Sequence, residues 1–157
     1  MKYSIEFLRF HQNLIPEISR CFFNEWSHQF PDKTIADVEE SVKRRTHTDR
    51  VPMALVALGT DGGFMGTVSL IENDLESRPQ LSPWLASLYV RPEFRGKGLG
   101  SSLIKEMIIK ASESGERSIF LYTETADKYY ADKGWTICER LPLHGTGVTV
   151  MKYDIRK

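Results

Sequence analysis

Cysteine is nearly absent. The 157 residues hold two, Cys21 and Cys138, far apart and outside any CxxC or Cys/His spacing. That supports neither a disulfide framework nor a structural zinc site, and reduced, buried thiols are the expectation. No apolar run approaches the roughly 18 residues of a membrane span. The opening MKYSIEFLRFHQN lacks the apolar core and small-residue cleavage site of a secretory signal, so a cytoplasmic location is the default. Charge of one sign is missing as well, because 21 Lys plus Arg balance 21 Asp plus Glu. Steering toward nucleic acid or an anionic membrane has no basis, and neither partner is expected. Repeats, low-complexity tracts and linkers are also lacking. What remains is 41% hydrophobic and 27% charged. That composition describes one folded domain over 1–157, long enough to bury roughly two thirds of its unfolded surface without cross-links.

Periodicity sketches the elements. Residues 3–8 alternate as an edge strand, and Leu14, Ile18, Cys21, Phe22 and Trp26 fall at helix spacing. Pro16 fits only a first turn, so that helix starts near Leu14 or Ile15. Thr34 offers a cap for a second helix, Ile35 to Arg45, whose charges run from Asp37 to Lys43, Arg44 and Arg45 in the order that suits the helix dipole. VPMALVALGT and FMGTVSLIE, joined by Asp61-Gly62-Gly63, read as a hairpin, and PWLASLYV follows as a strand after a polar loop from Asn73 to Leu81. A long helix starts at Leu99 and stops before Gly115. Then come a strand at 118–123, a short helix from Ala126 to Lys133, a strand from Gly134 to Arg140 and a closing strand from Val148 to Ile155. The order predicts mixed α/β architecture around one sheet.

The segment richest in chemistry is LASLYVRPEFRGKGLGSSLI, in which a strand ends, a polar loop follows, and three alternate glycines open a helix. Gly96, Gly98 and Gly100 remove side chains where backbone N–H groups approach a ligand, and the helix N-terminus adds positive potential. A phosphate or pyrophosphate is the expected ligand, with Arg95 or Lys97 adding charge. Two better-known phosphate motifs do not fit. A dinucleotide fingerprint needs glycine where Ser101 stands, and a P-loop needs four residues between its glycines followed by Gly-Lys-Ser or Gly-Lys-Thr.

Arg95-Gly96-Lys97-Gly98-Leu99-Gly100 resembles the signature of the GNAT superfamily of acyl-CoA-dependent N-acetyltransferases: Arg or Gln, two residues, Gly, one residue, then Gly or Ala. The strand LYVRPEFRG, the helix after the loop, TADKYYADKGW and the ending GVTVMKYDI extend the resemblance over most of the chain. It implies a mixed, mostly antiparallel sheet with helices on both faces and a splayed central strand pair. It further implies acetyl-CoA as co-substrate and an amine acceptor, with pairing into a homodimer common among relatives. Carried over by position, Leu88 and Val90 would offer main-chain groups to the pantetheine arm. Arg95, Gly96, Lys97, Gly98, Gly100 and Ser101 would hold the phosphates. Many relatives have Asn seven residues before the family's tyrosine, and here Thr123 stands at that place. Its hydroxyl still donates and accepts hydrogen bonds.

Direct acetyl transfer needs an acid for the departing thiolate, a donor for the oxyanion and a neutral amine. Tyr130 occupies the acid's position, with Tyr129 beside it as a packing residue, and a backbone N–H near Val90 suits the oxyanion. Glu72 is favoured as base, with Asp74, Glu124 and His144 as alternatives and relay through water also open. Trp26, His28, Phe30, Trp84 and His144 would shape the acceptor pocket, an environment suited to an amine with an apolar body. Two other readings stay open: a CoA-binding sensor or partner-binding module without turnover, and a dinucleotide-dependent oxidoreductase.

Overall fold

The computed structural model describes residues 1–155. Seven strands are formed: β1 (Tyr3–Phe7), β2 (Met53–Gly59), β3 (Phe64–Ile71), β4 (Trp84–Val90), β5 (Ser118–Thr123), β6 (Thr136–Leu143) and β7 (Thr146–Asp154). They make one sheet in the order β1-β2-β3-β4-β5-β7-β6, antiparallel at every junction except β4–β5. The helices are α1 (Ile15–Trp26), α2 (Ile35–Lys43), α3 (Leu99–Glu113) and α4 (Asp127–Asp132). The expected α/β class and its mostly antiparallel sheet are therefore present. No helix among the described residues is long and apolar enough to cross a membrane.

Helices cover both faces of the sheet. Met53, Leu55 and Ala57 of β2 pack with Leu99, Leu103, Met107 and Ala111 of α3, while Ala54, Val56 and Leu58 pack with Ile15, Ile18 and Phe22 of α1 and Val42 of α2. A strand buried on two faces reads as a continuous apolar run, which is why MALVAL hardly alternates in polarity. Helix α2 begins at a capping box: Asp37 N–H donates to Thr34 Oγ1 at 3.2 Å, and Thr34 N–H donates to Asp37 Oδ2 at 2.9 Å.

The feature that positions the site lies at the centre of the sheet. Ser69 pairs with Ala86 and Thr67 with Tyr89, so the single residue Val68 faces both Ser87 and Leu88: a β-bulge. Ser87 sits there at φ 54°, the left-handed region that a non-glycine residue enters at a cost. On its other edge β4 meets β5 in one registered pair, Trp84 with Phe120, after which the strands part.

Several boundaries differ from the sequence reading. Residues 8–14 form a 3-10 segment, the short helix runs Asp127–Asp132, and the last two strands are Thr136–Leu143 and Thr146–Asp154, meeting at a tight turn where His144 and Gly145 both have positive φ. The thiols are free as expected but not buried: Cys21 is half-buried on α1 and Cys138 is exposed on the edge strand β6.

Candidate active site

Where β4 and β5 part, a wedge-shaped cavity of about 290 Å³ opens. Leu85, Ala86, Ser87 and Leu88 form one wall, Leu121, Tyr122 and Thr123 the other, and Tyr130 of α4 stands against it. The main chain of β4 is aimed into this wedge. Arg91 N–H donates to the Met65 carbonyl at 2.9 Å, so in an alternating antiparallel ladder Val90 turns its amide away from β3, and the bulge interrupts the ladder at Leu88. The strand that would have paired with them has diverged. The Val90 carbonyl is taken by Arg95 Nε at 2.7 Å.

The glycine loop continues from that edge. Gly96 (φ 75°) and Gly98 (φ 84°) are left-handed, and a Cβ placed on either would meet nothing within 4 Å, so the space before them is open. Gly98 caps α3 with no side-chain hydrogen bond, which leaves the amides of Leu99, Gly100 and Ser101 without an intrahelical acceptor. These amides, with the positive end of the helix behind them, make a site for an anion. Gly100 is not left-handed, and a Cβ there would lie 3.8 Å from Val90 Cγ2 and 3.9 Å from Leu88 Cδ2, which is ordinary contact. That contact distance also shows that the loop abuts the wedge. A diphosphate with an extended arm therefore fits the residues present. One expected contributor, Arg95, is engaged elsewhere. Arg95 N–H donates to Pro92 O at 3.3 Å, and its guanidinium lies 5.6 Å over the Tyr89 ring and 3.7 Å from Glu25. The open amides thus begin at Gly96. Lys97 is exposed on the loop.

A second cavity, about 350 Å³, lies between α1, α2 and the loop after β3, and shares Trp26, Phe30, Asp74 and Ser87 with the wedge. Asp74 is the carboxylate at this junction. Burial raises its pKa to about 7, against the opposing effect of the Arg45 guanidinium. Arg45 is itself 9% exposed, and its donors go to Ser69 Oγ (2.9 Å), Ser87 Oγ (3.0 Å) and Ser41 Oγ (3.1 Å). Burial pulls its pKa down to about 10, with Asp74 opposing, so it keeps its charge near neutral pH. One cation thus ties α2, β3 and the strained residue of β4 together. Tyr130 packs edge-on against Trp135 (5.8 Å) and Tyr129 (5.2 Å), and burial, with Tyr129 adding to it, raises its pKa above the ordinary value. It is therefore protonated at neutral pH. Tyr122 is pushed up to about 12 by burial and then by Asp74 and Glu124.

The expected site residues divide. Leu88, Thr123, Tyr130, Trp26, Phe30, Asp74 and Glu124 line the two cavities, and Thr123 Oγ1 accepts from Ala126 N–H at 3.0 Å. Val90 lies outside the lining, toward the glycine loop. Glu72, the favoured base, is exposed at the end of β3 and lines neither cavity. The chain rolls over the buried Leu75 beyond it, and this brings Asp74 inward instead. Trp84 is 0% exposed, donates its indole N–H to Leu81 O at 2.7 Å and packs on Phe120 and Tyr122; it is core and does not reach the acceptor cavity. His28 lines neither cavity, and His144 reaches the site only through edge contact with Phe30 at 5.3 Å. Sequence reasoning missed Arg45 and Ser87. Arg45 sits in a run of three basic residues that also reads as a dipole-matched helix end, and nothing local announces the bulge at Ser87.

The chain resembles solved structures over its whole length. It superposes on an aminoglycoside 6'-acetyltransferase type Ii with a TM-score of 0.74 and 21% identity, covering 100% of this chain and 99% of the other. An aminoglycoside 6'-N-acetyltransferase complexed with coenzyme A gives 0.76 and 17%, covering 100% and 98%. The spermidine/spermine N-acetyltransferase SpeG from Vibrio cholerae gives 0.70 and 18%, covering 98% and 93%. By sequence, no curated protein matches. The sequence model of the acetyltransferase (GNAT) family does match, over residues 12–134. With the splayed strands, the open amide loop and that match across most of the chain, the protein belongs to the GNAT acetyltransferase family, whose enzymes use acetyl-CoA as co-substrate.

Proposed function

We propose that the protein transfers an acetyl group directly from acetyl-CoA to a primary amine, with the donor's arm in the β4–β5 wedge and the acceptor in the cavity between α1 and α2. Acetyl-CoA supplies an acyl group activated as a thioester. The amides of Gly96, Gly98, Gly100 and Ser101 receive its diphosphate, Lys97 adds charge beside them, and the main chain of Leu88 with the amide of Val90 aligns the arm as an added strand would. Thr123 flanks the arm from β5.

Asp74 takes the ammonium proton, a better placed base than Glu72. Stripping an amine of pKa about 10.4 costs about 4.6 kcal/mol at pH 7 whether the proton goes to water or to a carboxyl of pKa about 7, so Asp74 contributes by taking the proton within the site, from the ammonium form that predominates in solution. The Leu88 N–H, freed by the bulge, stabilises the developing negative charge on the carbonyl oxygen, a role the sequence alone placed near Val90. Tyr130 returns a proton to the departing sulfur, whose conjugate thiol has a pKa near 8.5. The observation that carries this reading is that one wedge between the parted strands is lined by both a carboxylate, Asp74, and a tyrosine, Tyr130. Calorimetric titration with acetyl-CoA, followed by thiol release over an amine panel at pH 8, tests it. Binding with turnover of at least one amine is expected; binding without release for every amine would leave a CoA-binding module and refute the transfer.

A further inference from the structure

The acceptor cavity carries more than a location. One part of its wall is aromatic and aliphatic, with Phe22, Phe23 and Trp26 from α1, Phe30 at the rim, and Val38 and Leu75 opposite, while serines, Asn73 and charged side chains complete the lining. Phe30 is 40% exposed, an arrangement that an apolar body laid against it would relieve. Charge is nearly balanced. Asp37, Asp74 and Glu76 face Lys33 and Arg45, which leaves one negative charge for an occupant. Asp37 is already engaged at the helix cap, and Arg45 is already held by three serines. Of the remaining carboxylates, Asp74 and Glu76, Asp74 also lines the wedge, so it is the one that meets an ammonium at the junction, with the aromatic walls extending away from it.

Resting on the transfer reading above, we infer that the acceptor is a monoamine whose single ammonium meets Asp74 and whose body is apolar and of aromatic size, as opposed to a polycation or a polyhydroxylated amine. A polycation would bring several charges to a cavity whose charged side chains sum to −1, and a sugar would lay part of its hydroxyl groups against Phe22, Phe23, Trp26 and Phe30, which cannot pair them. A cavity of about 350 Å³ accommodates one ring system with a short linker.

The test compares kcat/KM for 2-phenylethylamine, ethylamine, spermidine and kanamycin at fixed saturating acetyl-CoA, by thiol release. Burial of a phenyl group predicts that 2-phenylethylamine exceeds ethylamine roughly 10- to 100-fold, and spermidine and kanamycin should fall below it. In Phe30→Ala, chosen because Phe30 is partly exposed, the phenylethylamine-to-ethylamine ratio should drop at least roughly threefold. Spermidine or kanamycin as the best substrate, or a phenylethylamine-to-ethylamine ratio near one, overturns the inference while leaving acetyl transfer standing. Failure of all four amines despite bound acetyl-CoA overturns both.

Discussion

Replacing Asp74 with asparagine removes the proposed base and preserves shape. With Asp74 near a pKa of 7, the parent enzyme binds the ammonium form of its amine and draws off the proton in the site. Its kcat/KM should rise with unit slope up to about pH 7 and stay level until the amine itself titrates near pKa 10.4. A carboxamide accepts no proton, so the Asp74→Asn variant depends on amine already neutral in solution, about one part in 2,500 at pH 7 for that pKa. The expected loss at pH 7 is on the order of 10²–10³-fold. The defect should shrink tenfold per pH unit as the medium is raised, so the break at pH 7 disappears and the profile climbs toward 10. Thiol release from pH 5.5 to 10 reads this directly. An unchanged profile with the break still at 7 refutes Asp74 as base. Stability moves the other way. A carboxyl whose folded pKa is raised from 3.8 to about 7 contributes stability that is fully present below pH 4 and lost as pH rises through 7. At pH 8 the Asp74→Asn protein should therefore melt higher than the parent, by a margin on the order of 4 kcal/mol at most, and at pH 4 the two should coincide.

Tyr130→Phe keeps the ring packed on Trp135 and removes only the donor, so kcat should fall at least about tenfold while the calorimetric affinity for acetyl-CoA stays within about threefold. Turnover equal to the parent's would remove Tyr130 from the mechanism. Gly98→Asp places a carboxylate and an unfavourable φ at the open amide loop; CoA binding should vanish in calorimetry, and retained affinity would count against the loop as the diphosphate site. Arg45→Met leaves Ser87 held in a left-handed conformation without its tether and Asp74 without a counter-charge. Denaturant unfolding should show a loss of about 3 kcal/mol, and the kcat/KM break of the folded fraction should move above pH 7. A break still at pH 7 would show that Arg45 has no electrostatic hold on Asp74.

The parts of the site that depend on adjacency along the chain could be read from the letters alone. Arg95 to Gly100 follow one another, so their main-chain amides form the loop whatever the rest of the fold does, and Tyr130 keeps its four-residue distance from Gly134, which lies just past the end of the same short helix. Element types were legible for the same reason, because period and caps such as Thr34 with Asp37 are local.

Packing between distant segments decided the remainder. Glu72 and Asp74 are chemically alike and two residues apart, and only the burial of Leu75 selects which of them turns inward. Trp26 and Trp84 look equally suited to a pocket, yet one lines the junction of two cavities and the other is sealed against Phe120. Arg45 reaches Ser69 and Ser87 across 24 and 42 residues of chain, a relation that no window of sequence contains. Local order therefore specified the glycine loop and the placing of Tyr130, the proposed acid, whereas the proposed base Asp74, the cation beside it and the walls of the proposed acceptor cavity arise from long-range burial, which changes a carboxylate's proton affinity only once the whole sheet and its helices have closed around it.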